Sequence, residues 1–290
     1  MAILVTGAAG LVGRAAVAAL LRQGVEHVRA VVREPAQVGD LRRLGAKVAL
    51  LDATDLDGLA AAMDGVFTAC SLTGGLWANP GAAPSAAVVE PARVFLTAAA
   101  QRGVRRLVIC SPAAVATPAA QGNPHLAAKA EVERMVAASG LEHAILRCTH
   151  VLGPGSRLLA LLAGSAVPVP VPGDGRQRVA PVWVGDVADA IAAADDAAEL
   201  PPTTWSLSGP DELTFDDLVD MVHGGRVAKR HLEADAAALV GLTEVQAGVL
   251  AADSLADPAL APAPGLVPTP LAEALARSAG AWRSRVAGSP

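Results

Sequence analysis

The chain has 290 residues, 52% hydrophobic and 18% charged, with a net charge of -5. That length suits one large domain, or a core with a smaller lobe. Its 23 basic residues are dispersed rather than gathered on one face, which argues against a nucleic-acid partner. The longest uncharged stretch, between Asp64 and Glu90, is broken by Gly and Pro, so it reads as a loop and not as a membrane-spanning helix. Cys70, Cys110 and Cys148 each end an apolar run, with no paired or zinc-like spacing. No basic region followed by an apolar run opens the sequence. The expectation is a reduced, cytoplasmic protein without a metal.

Apolar runs of four to six residues alternate with alanine-rich segments of helical length, the pattern of a parallel sheet covered on both faces. The first run, "AILVT", ends in a turn where Gly7, Gly10 and Gly13 fall at a spacing of three before a helix over 11–23. Gly7 permits the tight turn, Gly10 lets the backbone approach a pyrophosphate, and Gly13 lets helix and strand pack closely. Leu11 and Val12 open the helix, whose free N–H groups face the phosphates. A dinucleotide site is predicted here, the alternative being a Gly-rich turn with no ligand.

The second strand, "VRAVV", is followed by Arg33 where an NAD enzyme carries an acidic residue, which favours the 2′-phosphate of NADP. The neighbouring Glu34 opposes that reading, and Arg14 can assist it from the first helix. "KVALL" leads to Asp52 and Ala53, where the carboxylate can meet the adenine amino group or cap the helix near Asp55. After a helix over 55–63 and the strand "GVFTAC", Trp77 lies in a long Gly/Pro loop that can close over a flat ligand. A helix over 86–102, the strand "RRLVIC", a helix over 126–139 and the strand "HAILRC" complete the core.

Beyond Cys148 the rhythm changes to Pro and Gly punctuation. Trp183 and Trp205 read as core residues, and Asp186 and Asp189 as first-turn carboxylates of a helix. "TTWSLSG" is a further strand, and Thr214 with Asp217 has the spacing of a capping box. From 224 onward only short helices are expected. The predicted division is a doubly wound nucleotide-binding core over 1–150, joined by segments within about 178–208, and a substrate lobe from 151–177 and 209–290.

"VTGAAGLVG", "LLDATD", "RRLVICSPAAV", "HLAAKAEVERMV" and "VWVGDVADAIAAA", in that order, resemble the atypical and extended short-chain dehydrogenases/reductases, especially their NmrA-like and quinone-reductase branch. The resemblance runs from residue 2 to about 220. It implies a Rossmann-type fold with a small C-terminal substrate lobe and a serine beside a Tyr-x-x-x-Lys pair. Ser111 matches that serine, Lys129 the lysine and Arg147 the arginine after the sixth strand, while Thr149, His150 and Val151 would line the nicotinamide pocket. His125 stands where the tyrosine belongs, and the chain contains no tyrosine at all.

Three answers to the missing phenol are open. His125 can be the acid, as an imidazolium with an ordinary pKa near ~6.5, or it can be a surface histidine at a helix start. A substrate carrying a phenol beside its ketone can supply its own proton, and a quinone needs no strong acid. Or the protein binds the nucleotide and reports its redox state without chemistry. The resemblance to tyrosine-free ketoreductases of aromatic polyketides favours an NADPH-dependent ketoreductase, with a quinone reductase and a redox sensor as alternatives. A sugar-nucleotide epimerase ranks last because it needs the tyrosine. The expected partner is a small aromatic molecule, His150 being a further polar contact to it, and no oligomeric state follows.

Overall fold

In the computed structural model, which describes residues 1–286 apart from 79–80, 234–235, 237 and 239, every apolar run of the core becomes a strand. β1 (Ala2–Thr6) leads through the glycine turn to α1 (Leu11–Arg22). β2 (His27–Val32), α2 (Val38–Leu44), β3 (Lys47–Leu50), α3 (Leu56–Ala62) and β4 (Val66–Ser71) repeat the alternation. A long loop and a π-helical turn over Ser85–Val89 precede α4 (Glu90–Gln101) and β5 (Arg106–Pro112). The turn α5 (Ala119–Gly122), α6 (Pro124–Ala137) and β6 (Glu142–Cys148) follow. Next come β7 (Val151–Leu152), α7 (Arg157–Gly164), β8 (Val169–Pro172), β9 (Arg178–Val179), β10 (Val182–Trp183), α8 (Val184–Asp196) and β11 (Thr203–Leu207). β12 (Leu213–Thr214), α9 (Phe215–His223), β13 (Lys229–Leu232), α10 (Glu244–Leu250) and α11 (Leu271–Val286) complete the described chain.

One parallel sheet holds seven strands in the order β11-β6-β5-β4-β1-β2-β3, the predicted doubly wound Rossmann-type arrangement. The chain winds outward from β1 to β3 and then returns to place β4 on the other side of β1. That reversal opens a crevice at the carboxyl ends of β1 and β4, the ligand position of such sheets. Val17 and Leu20 of α1 meet Val187 and Ile191 of α8 in the cluster that covers one face. Leu59, Phe95 and Val132 belong to the cluster on the other face. A third cluster, including Leu159, Val171, Phe215, Leu218 and Leu250, gathers residues from 152–179 and 213–275 beyond the strand ends. Three two-stranded ribbons, β7 with β10, β9 with β12 and β8 with β13, frame it.

Several local expectations are refined. α6 begins at Pro124, two residues early, because the Asn123 side chain accepts from the His125 and Leu126 amides at 3.0 and 3.2 Å and Pro124 fits the first helical position. Thr214 and Asp217 do form the reciprocal capping box. Asp186, by contrast, does not cap its own helix: buried, it accepts from the Thr269 amide and hydroxyl at 2.7 and 2.8 Å and ties the C-terminal segment to α8. Asp189 faces Arg22 of α1 at 3.8 Å. Trp205 is a core residue, but Trp183 is only half-buried, with the Arg277 guanidinium 5.7 Å over its ring.

Arg106 is 1% exposed, an unusual place for a guanidinium. It is satisfied on every side. Glu142 on the neighbouring strand accepts from Nε and Nη2 at 3.0 and 2.8 Å, and Nη1 donates to the carbonyls of Ala194 and Asp195 at the end of α8. One cation therefore pairs two strands and neutralises a helix C-terminus. Removing it as Arg106→Met leaves those carbonyls and a half-buried carboxylate without a donor. A loss of about 2–4 kcal/mol in stability is predicted, read as a lower denaturant midpoint with an unchanged slope; a shift under about 0.5 kcal/mol would contradict this account.

Candidate functional site

The glycine turn sits at the crevice, and its geometry explains its composition. Gly7 has φ +65°, and a Cβ there would lie 2.7 Å from the Leu72 carbonyl oxygen. A Cβ on Gly13 would lie 2.2 Å from the Gly7 oxygen, so α1 can rest against β1 only without a side chain at that position. Gly10, Leu11, Val12 and Gly13 all line the cleft. The N-terminus of α1 has no side-chain cap and no acidic residue in its first turn, so its amides face the cleft bare. A bare cradle of this kind fits the pyrophosphate of a dinucleotide.

Arg33, Asp52 and Ala53 line the same end of the cleft. The Arg33 guanidinium lies 3.5 Å from the Glu34 carboxylate, both side chains being exposed. Glu34 has a second task, since it caps the short turn Pro35–Gln37. Asp52 Oδ1 accepts from the Thr54 amide and hydroxyl at 2.9 and 2.6 Å; these bonds, aided more weakly by the Arg33 charge, hold its carboxyl below the usual range. Asp55, not Asp52, caps α3, through the Gly58 amide at 3.0 Å. Arg14 pairs with Asp40 at 2.9 Å and donates to the Ala9 carbonyl at 3.0 Å.

Ser111 at the end of β5, with His125 and Lys129 one turn apart on α6, meet at the inner part of the cleft. Ser111 is 3% exposed, and its Oγ has no protein partner. The Lys129 ammonium donates to the carbonyls of Thr73 and Cys110 at 3.2 and 3.4 Å, and burial pulls its pKa below the usual lysine value. An ammonium has three donors, so one remains for a ligand.

His125 is 5% exposed, neither the surface histidine nor the imidazolium that the sequence allowed. Burial first, and the Lys129 charge second, pull its pKa down to about 4, so the ring is neutral at pH 7. His150 also lines the cleft, and burial alone pulls it down to about 4. The Nε2 atoms of both rings are buried without a partner. Thr149 lines the wall, and its hydroxyl donates to the Ala180 carbonyl at 2.5 Å, which secures β6 to the approach of β10 and leaves its oxygen able only to accept from a ligand. Arg147 pairs with Glu133 and Asp257, at 2.8 and 3.3 Å, outside the cleft.

The outer walls are apolar. Trp77 lines the cleft and packs on the third cluster, its carbonyl held by Arg157 at 2.9 Å. Val249 and Leu250 of α10 line it too, and Gln246 of the same helix donates to the Leu76 carbonyl at 3.3 Å. The helix that carries them is one of the short helices expected after 224, not placed in the sequence although Thr243 and Gln246 have the spacing of the capping box they form. The cleft measures about 880 Å³. Cys70 and Cys148 are buried and Cys110 half-buried. Burial holds the Cys70 thiol well above the usual range, and the contact with Cys110, then burial, does the same for Cys148. Neither is a nucleophile at neutral pH. Among the described residues no helix is long and apolar enough to cross a membrane, and no group of three His, Cys, Asp or Glu could hold a metal ion.

The chain is similar to an NADPH-dependent quinone oxidoreductase from Escherichia coli complexed with NADPH, with a TM-score of 0.75 and 24% identity over 94% of this chain and 98% of that one. It is also similar to dTDP-glucose 4,6-dehydratase from Streptomyces venezuelae with NAD bound, with a TM-score of 0.74 and 21% identity over 98% and 97%. At these identities the likeness is one of fold. It is 31% identical over 138 residues to the mitochondrial NADH dehydrogenase (ubiquinone) 1 alpha subcomplex subunit 9 of Arabidopsis thaliana, covering 45% of this chain and 33% of that protein. The chain thus spans about a third of that curated relative's length. The model of the NAD(P)H-binding family matches residues 7–194, which include the glycine turn, Ser111 and Lys129. With that match over more than half its length, the chain belongs to the NAD(P)H-binding family.

Proposed function

We propose that this NAD(P)H-binding protein is an NADPH-dependent reductase of a carbonyl on a bulky, mostly aromatic small molecule, either a polycyclic hydroxyketone of the aromatic polyketide type or a quinone. The observation that carries this reading is the continuity of the cleft. It runs from the bare glycine turn, past Ser111 and Lys129, to the apolar walls of Trp77, Leu158, Val249 and Leu250. Arg33 at the end of β2 supports NADP over NAD, because a guanidinium makes paired, charge-assisted contacts to a 2′-phosphate. The unpaired thiols fit a reducing, cytoplasmic setting.

Bound NADPH supplies the hydride. Lys129, fixed by two carbonyls, holds the nicotinamide ribose with its remaining donor. The Ser111 hydroxyl, without a protein partner, donates to the substrate carbonyl and orients it. No tyrosine exists to protonate the oxygen, and the neutral His125 is a poor donor to an alkoxide. The proton is therefore assigned to the substrate: a phenol beside the ketone passes its proton across their internal hydrogen bond, and water reprotonates the phenolate. A quinone leaves as the stable hydroquinone anion and needs no acid.

NADPH oxidation across quinones and hydroxylated polycyclic ketones tests the activity. Turnover above background supports the reductase, whereas cofactor binding with silence on every compound is the behaviour of a nucleotide sensor. His125→Ala is expected to keep turnover within a few fold, and loss of about a hundredfold would make the imidazole the acid. The rate should be flat between about pH 5.5 and 7.5, because His125 takes up its proton only near pH 4; a tenfold fall per unit across that window would point to an imidazolium donor. Arg33→Ala should raise KM for NADPH about tenfold or more while KM for NADH moves within about threefold. Equal changes for both cofactors would remove the 2′-phosphate contact from the account.

A further inference from the structure

Among the described residues, the buried side-chain atoms without a protein partner are Thr68 Oγ1, Ser111 Oγ, His125 Nε2, His150 Nε2 and Gln177 Oε1. Three of them share one cleft. A buried polar atom left unpaired is costly, so three at one place mark groups kept for a ligand. The reaction described above employs only Ser111. The two imidazoles have no part in it.

Their placement is specific. His125 stands on the first turn of α6, its amide fixed by Asn123, which in turn donates to the Val245 carbonyl at 2.9 Å. His150 enters from the link between β6 and β7. Its ring meets Phe215 of the third cluster edge-on, with centroids 6.3 Å apart and planes at 88°, and its carbonyl accepts from the Val182 amide at 3.0 Å. The two rings thus line the same cleft from differently anchored elements. A neutral imidazole carries one N–H and one lone pair, so it can meet either a carbonyl or a hydroxyl. A cation is the other ligand that two imidazoles attract. No third metal-binding side chain stands with them among the described residues, and the Lys129 ammonium is one turn from His125.

We propose that His125 and His150 form a two-sided clamp for an oxygen function of the substrate other than the carbonyl reduced, which makes the substrate class hydroxylated in the peri position: a peri-hydroxyketone or a peri-hydroxyquinone. This rests on the aromatic-substrate reading of the cleft. Ser111 then reads the reacting carbonyl and the histidines read its neighbour, so that an aromatic ligand lacking the second oxygen leaves two buried nitrogens unpaired. Loss of a hydrogen-bond partner in a built site discriminates far more strongly than a change in apolar area.

The test uses equilibrium binding to the protein loaded with NADP⁺, where no turnover occurs, with two probes: a peri-hydroxylated anthraquinone and its unsubstituted parent. The wild type should prefer the hydroxylated probe by about tenfold or more, and His150→Phe and His125→Phe should each cut that preference at least about fivefold, the weight of one hydrogen bond. His150→Gln, which keeps a polar tip, should recover part of it. In the unsubstituted protein, imidazole nitrogen NMR should show both Nε2 resonances moving with the hydroxylated probe and not with the parent, a readout that needs no variant to fold. Both probes binding with equal affinity, or Nε2 resonances that stay still, would overturn the clamp and leave the aromatic-substrate reading in place. Failure of the wild type to bind either probe would overturn that reading, and the clamp with it.

Discussion

The contact between Gly13 and the Gly7 carbonyl is the constraint on which the site depends. A side chain at residue 13 would sit 2.2 Å from that oxygen, so the helix either rests on the strand or moves away. Because it rests there, the amides of the first turn of α1 point into the crevice beside β4. The same helix packs on α8 across one face of the sheet, and the end of α8 is held in turn by the buried Arg106. Cofactor cradle, helix layer and sheet are thus one packing problem.

Burial then decides the chemistry at the far end. Lys129 and His125, one turn apart, are both more than nine-tenths buried in the cleft wall, and burial is the first cause of the lowered pKa of each. Two backbone carbonyls accept from the Lys129 ammonium, while burial pulls its pKa down. His125 is neutral because burial, and after it the Lys129 charge, disfavours its protonated form. A tyrosine in that position would offer a proton to the substrate oxygen, with its phenol made more acidic by the lysine. A neutral imidazole instead offers a hydrogen bond of either polarity. On the proposed reading, the cleft positions a substrate that brings its own acid.

Much of this was legible in the sequence, for physical reasons. The core strands are short apolar runs because the sheet is covered on both faces, and the glycine spacing follows from one close contact. Ser111 and Lys129 were singled out only through the resemblance to short-chain dehydrogenases/reductases, and both line the cleft. What could not be read was anything set by tertiary desolvation. His125 beside Pro124 looks like a surface residue at a helix start, yet it is 5% exposed where the Asn123 cap ties its helix to α10. Asp186 looks like a helix-end carboxylate until Thr269, 83 residues away, is brought to it. The walls supplied by α10 come from an alanine- and leucine-rich stretch whose only local signal is the Thr243–Gln246 box.

The central claim is reduction without a protein acid, and one comparison tests it most directly. NADPH oxidation is followed with a polycyclic ketone that carries a phenol beside its carbonyl, and with the same ketone methylated at that oxygen. The account predicts turnover on the phenol and a loss of about a hundredfold or more on the methyl ether, the usual weight of a positioned proton donor. Equal turnover on both would show that the protein or its ordered water supplies the proton, and would contradict the account.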